Sequence, residues 1–257
     1  MQRLNFNGHT DLDDNDPSVP LALDEAMLNW ADHQLERSAT IDDARDHQSI
    51  RFWQFDRTTV VLGRSSKIDE ETNRAKCERS LIPILRRCTG GATVVGGTGC
   101  LMYAVVLRLA GEQALRKVDA AHDYVMDRVL GAIQRQLPEA RRQGVCDLTW
   151  RDQKFSGNSL RIARHHLLYH GTVLHGADLD QFSRCLRTAP RQPDYRRGRN
   201  HRQFIRNVPI DPNQFQDDLA QRFGAGSTSM DVPEGMRQVA DHLMQERYRR
   251  SDWHQRH

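Results

Sequence analysis

The spacing of apolar residues along the chain predicts a set of helices. Within 21–35, apolar side chains recur at helical spacing and form one stripe of an amphipathic helix. The segment 118–137 shows the same spacing over a longer stretch, including Val125 and Val129. Shorter helical patterns are predicted over 70–80, 178–186, 213–222 and 233–248.

Segments rich in β-branched and aromatic residues predict strands between these helices. The segment 52–63 is predicted to form a hairpin or a pair of strands, and 147–174 is predicted to form three short strands with a glycine turn. Further short strands are predicted over 82–85, 92–95 and 101–109. Because strands and helices alternate irregularly, we predict an α/β (α+β) fold with a mixed β-sheet flanked by helices.

Composition indicates a soluble globular protein. The 257 residues are 38% hydrophobic and 28% charged, and no run of eighteen apolar residues is present. Residues 1–20 are polar and acidic and lack the apolar segment of a secretory signal. Five cysteines without regular spacing favour a reducing compartment over a disulfide framework, so we predict a cytoplasmic location.

The first segment with chemical potential joins two arginines to a glycine pair. It runs Arg86-Arg87-Cys88-Thr89-Gly90-Gly91, and a second glycine-dense turn follows over 96–99. Glycines let backbone N–H groups approach a ligand closely, and adjacent arginines add charge-assisted donors for a phosphate or carboxylate. The segment is neither a Walker A loop nor a dinucleotide-binding fingerprint. The alternative interpretation is a pair of tight hairpin turns.

The second such segment surrounds Lys154. Asp147 precedes it, Ser156-Gly157-Asn158 follow it, and His170-Gly171-Thr172 lie further along the chain. A lysine that enters a glycine turn could neutralise a phosphate or a developing oxyanion. Taken alone, however, such a lysine is more often just a surface lysine.

Together and in this order, the two segments resemble the lipoate–protein ligase A and octanoyltransferase family of the biotin/lipoate protein ligase superfamily. Residues 86–91 match its Arg-Arg-x-Ser/Thr-Gly-Gly loop, and 154–161 match its Lys-x-Ser-Gly stretch. Asp147-Leu148 and the His170–Leu174 strand match two further motifs, within a resemblance over roughly 21–207. The family fold resembles the catalytic core of class II aminoacyl-tRNA synthetases and biotin protein ligases.

The resemblance implies that the chain is divided into three parts. It implies a polar N-terminal arm over 1–20 and a catalytic domain of the lipoate/biotin protein ligase type over 21–210. It also implies a helical segment over 211–257 that packs on the same domain.

The resemblance also implies an enzyme that activates lipoate or octanoate with ATP as an acyl-adenylate. The acyl group then passes to the lysine of a lipoyl domain, and Lys154 is the implied catalytic residue. Residues implied to bind the acyl group are Arg86, Arg87, Thr89, Gly90, Gly91, His170, Gly171 and Thr172, although a pure packing role for His170 stays open. Residues implied on the nucleotide side are Ser156, Gly157, Asn158 and Asp147.

The same resemblance implies cofactors and partners. Mg²⁺ is expected to enter with ATP, held by phosphate oxygens and a carboxylate such as Asp147, and we expect no separate metal site. The expected acceptors are lipoyl domains of the 2-oxoacid dehydrogenase E2 type or the glycine cleavage H-protein type. We expect neither a membrane nor a nucleic-acid partner.

Three departures from the family pattern keep alternatives open. Gly96, Gly97 and Cys100 replace a His-Asp pair and an asparagine, and only about fifty residues follow Asn207 where large ligases carry a closing domain. A separate accessory chain could supply that domain. Alternatively, Cys146 or Cys185 could form a thioester in an ATP-independent octanoyltransferase that takes octanoate from acyl carrier protein. A lipoyl-binding homologue without turnover is the third possibility.

A run of arginines follows the Lys154 segment. Between 187 and 206 the only acidic residue is Asp194. Such a run could attract an acidic partner, or it could be a solvated basic loop. The arginines of this run are Arg187, Arg191, Arg196, Arg197, Arg199, Arg202 and Arg206.

Overall fold

The computed structural model describes most of the chain. Its described residues are 1–5, 15–37, 47–110, 113–188 and 190–257. Within these ranges, no helix combines the length and the apolar character needed to cross a membrane. Much of the predicted arm 1–20 falls on 6–14, which lies outside the described residues.

Twelve strands in the described ranges form three sheets. A six-stranded sheet has the order β10-β11-β6-β2-β1-β12, and two three-stranded sheets have the orders β4-β3-β5 and β7-β8-β9. The strands are β1 (Gln2–Asn5), β2 (Ser49–Trp53), β3 (Thr59–Leu62), β4 (Ile84–Arg86), β5 (Val94–Gly96), β6 (Cys100–Arg108), β7 (Arg141–Gln143), β8 (Asp147–Trp150), β9 (Gln153–Ser156), β10 (Asn158–Ile162), β11 (His166–Leu174) and β12 (Met230–Asp231).

Helices flank these sheets, and a π-helical turn over Met244–Tyr248 extends one of them. The α-helices in the described ranges are α1 (Val19–Arg37), α2 (Ile68–Glu71), α3 (Arg74–Arg79), α4 (Val118–Gln134), α5 (Asp180–Cys185), α6 (His201–Phe204), α7 (Pro212–Arg222), α8 (Glu234–Leu243) and α9 (Ser251–Gln255).

The antiparallel pair β6 and β11 forms the centre of the large sheet. Side chains alternate between the two faces of a strand, so neighbouring residues of β11 meet different helices. His170 lies 3.0 Å from Asp24 of α1, whereas the hydroxyl of Tyr169 lies 2.9 Å from the imidazole of His122 in α4. The sheet is therefore covered by α1 on one face and by α4 on the other.

Helix α1 is buried almost all round between Val19 and Ala31. The sequence predicted one apolar stripe, but α8 and the 244–248 turn cover a second face of this helix. Met27 and Leu28 are fully buried, and burial of each such side chain contributes about 1.5–3 kcal/mol to the stability of the fold. Asp24 and Glu25 are buried with them, at 1% exposure each.

Two strand predictions differ from the structure. Residues 52–63 do not form a hairpin, because β2 pairs with β6 while β3 pairs with β4 and β5 in another sheet. The segment 147–174 forms four strands rather than three, since Gly157 separates β9 from β10. In both cases the local composition indicated strands, but partners distant in sequence decided the pairing.

The turn between β5 and β6 generates a stability prediction. Gly99 has φ +78, and a Cβ there would overlap the Gly176 backbone, whose N–H donates to the Gly99 carbonyl. Gly99→Ala should lower the free energy of unfolding by about 2–5 kcal/mol, since left-handed strain and overpacking add. Urea denaturation would measure this change.

Gly224 provides the matched control for that substitution. It has φ +70, but a Cβ added there would meet no atom within 4 Å. Gly224→Ala should therefore lower the free energy of unfolding only by the backbone strain, about 1–2 kcal/mol. Equal losses in the two variants would contradict the packing argument at Gly99.

Candidate active site

The arginine–glycine loop between β4 and β5 is held together from within by Arg87. Its Nε donates to Thr89 Oγ1 at 3.0 Å, and its Nη2 donates to the carbonyls of Gly90 and Ala92. Gly91 has φ +84, which a residue with a Cβ adopts only under strain. Burial lowers the pKa of Arg87 to about 10, so the guanidinium remains charged at neutral pH. The loop therefore has a buried positive charge beneath its exposed glycines.

Arg86 occupies a different place from its neighbour. Its side chain is fully buried and donates to carbonyls of Gly63, Ser66, Trp253, His254 and Arg256. The motif predicted that Arg86 would reach the acyl group, but a guanidinium has only five N–H donors and these five carbonyls accept all of them. The structure does not bring Arg86 to a ligand surface.

A chain of polar contacts connects α1 to this loop through His170. Asp24 Oδ2 lies 3.0 Å from His170 Nδ1, and Thr89 Oγ1 lies 2.6 Å from His170 Nε2. Because the carboxylate accepts the Nδ1 proton, Nε2 is left as an acceptor for the Thr89 hydroxyl. Asp24 therefore sets the tautomer of His170, and His170 orients Thr89.

Asp24 is tied to the sheet at the same time. Its Oδ1 accepts from Arg51 Nη1 at 3.0 Å and from Trp53 Nε1 at 3.2 Å. Burial lowers the pKa of Arg51 to about 10, and Asp24 opposes that shift. Asp24 and Arg51 were not predicted as site residues from the sequence. The signal was available, because Asp24 and Glu25 interrupt the apolar residues 21–28 of the predicted helix.

Glu25, the next residue of α1, organises a second buried cluster. Its Oε1 accepts from Arg161 at 2.5 Å and from Arg247, and its Oε2 accepts from the Tyr248 hydroxyl at 2.7 Å. Arg161 belongs to β10, whereas Arg247 and Tyr248 belong to the 244–248 turn. Glu25 therefore joins α1, the large sheet and the later helical segment.

Lys154 and Asp147 form the charged pair of the second predicted segment. Lys154 Nζ lies 2.7 Å from Asp147 Oδ1, and the Tyr195 hydroxyl donates to Asp147 Oδ2 at 2.7 Å. A Cβ on Gly157 would lie 2.9 Å from the Lys154 Cε and Nζ. The glycine therefore makes room for the lysine, which is 27% exposed.

Asn158 is occupied by structural bonds. Its Nδ2 donates to the Cys146 carbonyl at 2.7 Å, and its Oδ1 accepts from the Tyr103 hydroxyl. Gly171 lies between Asn158 and Tyr103 in the sheet, where a Cβ would overlap the Asn158 amide. Asn158 and Gly171 therefore stabilise the strands beside Lys154, and neither lines the cavity described next.

A cavity of about 110 Å³ opens beside Lys154. Its apolar wall includes Val94, Phe182, Leu186 and Phe204. Of the residues predicted from the sequence, it brings together Lys154, Ser156, Gly157 and Thr172. The arginine–glycine loop adjoins it, because Ser159 Oγ donates to the Gly90 carbonyl at 2.9 Å and Ala92 lines the cavity.

Three arginines of the 187–206 run also line the cavity, namely Arg187, Arg191 and Arg196. Arg196 is only 5% exposed, and its Nη2 has no hydrogen-bond partner among the described residues. Burial, and then the Arg196 charge, lowers the pKa of neighbouring His201 to about 4, so this imidazole is neutral at pH 7. The arginine run was visible in the sequence, but none of it was predicted to belong to the site.

Of the two candidate nucleophiles, Cys185 is buried and Cys146 is half-buried. Cys146 Sγ donates to the Asn158 carbonyl at 3.1 Å, and burial raises its pKa to about 11. Cys185 lies in α5 beside Cys77, and burial raises its pKa to about 12. Both are therefore protonated at neutral pH, and neither lines the cavity beside Lys154.

Comparison with curated proteins finds both ligases and transferases. Lipoate–protein ligase 1 of Staphylococcus aureus is 21% identical over 209 residues, covering 78% of this chain and 58% of the relative. A probable lipoate–protein ligase A of Mycoplasma genitalium is 28% identical over 137 residues, covering 53% of this chain and 39% of that protein. The match thus spans less than two thirds of the length of either ligase. Octanoyltransferase LipM of Halalkalibacterium halodurans is 21% identical over 276 residues, covering 95% and 96%.

Solved structures share the fold. A Thermoplasma acidophilum protein with bound lipoic acid superimposes with a TM-score of 0.76 at 19% identity, covering 99% of this chain and 98% of the other. A lipoate–protein ligase A bound with ATP gives a TM-score of 0.75 at 19% identity, covering 93% of each chain. The predicted mixed sheet flanked by helices is therefore confirmed.

A family model settles the membership predicted from the motifs. The model of the lipoyl protein ligase A/B catalytic domain matches residues 16–224, which contain the arginine–glycine loop, Lys154 and the residues that line the cavity. This chain belongs to the lipoyl protein ligase A/B catalytic domain family.

Proposed function

We propose that this chain is an ATP-dependent lipoate–protein ligase. In the first step, a carboxylate oxygen of lipoate or octanoate bonds to the α-phosphorus of ATP and pyrophosphate leaves. In the second step, a lysine ε-amine of a lipoyl domain forms an amide with the acyl carbon. AMP leaves in that step, and the amine proton passes to solvent.

The observation that carries the proposal is an unsatisfied N–H donor on the buried Arg196 guanidinium, which lines the same cavity as Lys154. The Nη2 of Arg196 has no hydrogen-bond partner among the described residues, and a buried donor left unpaired costs about 1–3 kcal/mol. A phosphate oxygen would satisfy it with a charge-assisted hydrogen bond. Lys154, Arg187 and Arg191 line the same cavity and would share the charge of a polyphosphate.

The remaining walls suit the rest of a nucleotide. Val94, Phe182, Leu186 and Phe204 offer apolar surface that a purine ring could pack against, while the Lys154 side holds the charge. The family relatives solved with bound ATP and with bound lipoic acid support the same choice of ligands.

Magnesium would enter with the nucleotide. Within the described ranges, no group of three or more His, Cys, Asp or Glu side chains could hold a metal ion. Phosphate oxygens and water would therefore supply most of its ligands, which is the usual way in which Mg²⁺ binds. Asp147 would be available through its contact with Lys154, and Glu71 is a carboxylate that lines the cavity itself.

The proposed acceptor is a lipoyl domain of the E2 type or the H-protein type. A bipartite Thermoplasma acidophilum ligase of the same fold has been described with its E2 lipoyl domain. By analogy, a separate accessory chain could complete this enzyme. The exposed arginines Arg197 and Arg202 are close in sequence to Arg196 of the cavity wall and would favour an acidic partner.

An ATP-independent octanoyltransferase is the second candidate. It is favoured by the similarity to an octanoyltransferase over nearly the full length of both chains, and by the position of Cys146 next to Asp147. In that mechanism a thiolate would take octanoate from acyl carrier protein as a thioester. The raised pKa of Cys146 favours the ligase instead.

Lys154→Ala should abolish ATP-dependent transfer. We expect a loss of about 10²–10³-fold, because the variant loses electrostatic stabilisation of the reacting phosphate. Mass spectrometry of an apo lipoyl domain incubated with lipoate, with and without ATP, would measure it. Lys117→Ala, at an exposed site, is the control. Transfer that persists without ATP would rule out the ligase, and full activity of Lys154→Ala would rule out the catalytic role of Lys154.

Arg196→Gln should weaken nucleotide binding selectively. Loss of one charge-assisted hydrogen bond predicts a KM for ATP raised by about tenfold or more, with the KM for lipoate unchanged. Arg197→Gln is the matched control, since Arg197 is exposed and does not line the cavity. Similar KM values for ATP in the two variants would contradict a nucleotide role for Arg196.

Cys146 should react slowly with iodoacetamide at neutral pH. Its pKa is raised to about 11, so the thiolate fraction should grow about tenfold per pH unit up to pH 10. Peptide mass spectrometry after timed alkylation would follow the rate, with the urea-unfolded chain as reference. Rapid alkylation at pH 7, together with inactivity of Cys146→Ser, would favour the transferase.

A further inference from the structure

Arg86 is a buried cation surrounded by backbone carbonyls from two separate segments. Gly63 and Ser66 of the turn after β3 accept from Nη1 at 2.8 and 2.7 Å. Trp253 accepts from Nε at 3.1 Å, and His254 and Arg256 accept from Nη2 at 3.0 and 2.7 Å. One guanidinium therefore connects the turn 63–66 to the segment 251–257.

The backbone of Arg86 strengthens this connection. Its N–H donates to His254 Nδ1 at 2.9 Å, and its carbonyl accepts from Trp253 Nε1 at 2.9 Å. The Nε2 of His254 donates to the Tyr248 carbonyl at 2.8 Å, which leaves Nδ1 as the acceptor. Arg256 also donates to the Arg64 carbonyl at 2.9 Å. The 251–257 segment thus contacts the end of β4, which leads into the arginine–glycine loop, and the turn 63–66, which lies beside that loop.

The turn 63–66 in its turn contacts the arginine–glycine loop. The Arg64 N–H donates to the Thr89 carbonyl at 2.7 Å, and Ser66 Oγ donates to the Gly91 carbonyl at 3.3 Å. A Cβ on Gly63 would overlap that same Gly91 carbonyl, so the two backbones are in direct contact. A shift of the turn would therefore move the loop that carries Thr89.

We infer that the 251–257 segment sets the position of the arginine–glycine loop, with Arg86 as the positioning residue that couples them. Lysine has three donors and no planar fork, so it cannot replace the arginine in this role. Arg86 acts on a ligand only through the loop. Its effect on acyl transfer rests on the proposed function, whereas its effect on loop order can be measured without any substrate.

The test compares variants on both sides of the connection. Trp253→Phe removes one N–H bond to Arg86 and keeps an aromatic ring, and Arg86→Lys removes the fork. Arg250→Gln is the control, because the exposed Arg250 pairs with the nearby Asp252. Amide hydrogen exchange is measured in the full-length protein without ligands at Arg64, Arg87 and Thr93, whose N–H groups are hydrogen-bonded within or beside the loop. We expect exchange about tenfold faster or more in both test variants, but not in the control.

Kinetics provides the second measurement. Because small displacements at a site cost about 10²-fold in rate, Trp253→Phe should change KM for the acyl acid and kcat in the same direction as Arg86→Lys. If the hydrogen-exchange rate of the loop in Trp253→Phe equals that in Arg250→Gln, the inferred coupling is wrong even when the protein is active. If loop exchange rises as expected while no acyl transfer is found in the unmodified protein, the proposed function fails and the coupling stands.

Discussion

The structure depends on two carboxylates that lie side by side in its most buried helix. Asp24 and Glu25 are each 1% exposed, and an unpaired charge at such a site would cost several kcal/mol. Each is therefore compensated by a set of donors from other elements. Asp24 binds Arg51, Trp53 and His170, so α1 can occupy only one position over the large sheet. Glu25 imposes the same requirement on β10 and on the 244–248 turn.

This requirement also shapes the chemistry of the site. The carboxylate that positions α1 fixes the tautomer of His170, and His170 holds the Thr89 hydroxyl against the arginine–glycine loop. On the other side of the loop, Lys154 lines the cavity and is paired with Asp147. The two halves of the site meet where Ser159 binds the Gly90 carbonyl. Packing and the proposed ligand binding therefore share the same residues.

Neighbouring arginines show where sequence motifs stop being informative. Arg86 and Arg87 stand together in the loop motif, yet Arg86 is enclosed by carbonyls and Arg87 supports the glycines. The alternation of side chains at the end of β4 sends them in opposite directions, and the residues that surround Arg86 lie far away in the chain. The same holds for Arg196, which is one of seven arginines in the run 187–206 and the buried one at the cavity wall.

Most of the elements and the family could be predicted from the amino-acid sequence. Apolar periodicity is a local property, so it located α1, α4 and most strands, and the ordered glycine and lysine motifs identified the fold. The tertiary structure was needed to show which strands pair, which arginines line the cavity, and that Cys185 is buried and Cys146 half-buried. Those outcomes depend on contacts between residues distant in sequence and on the cost of burying charge, and neither is encoded in local spacing.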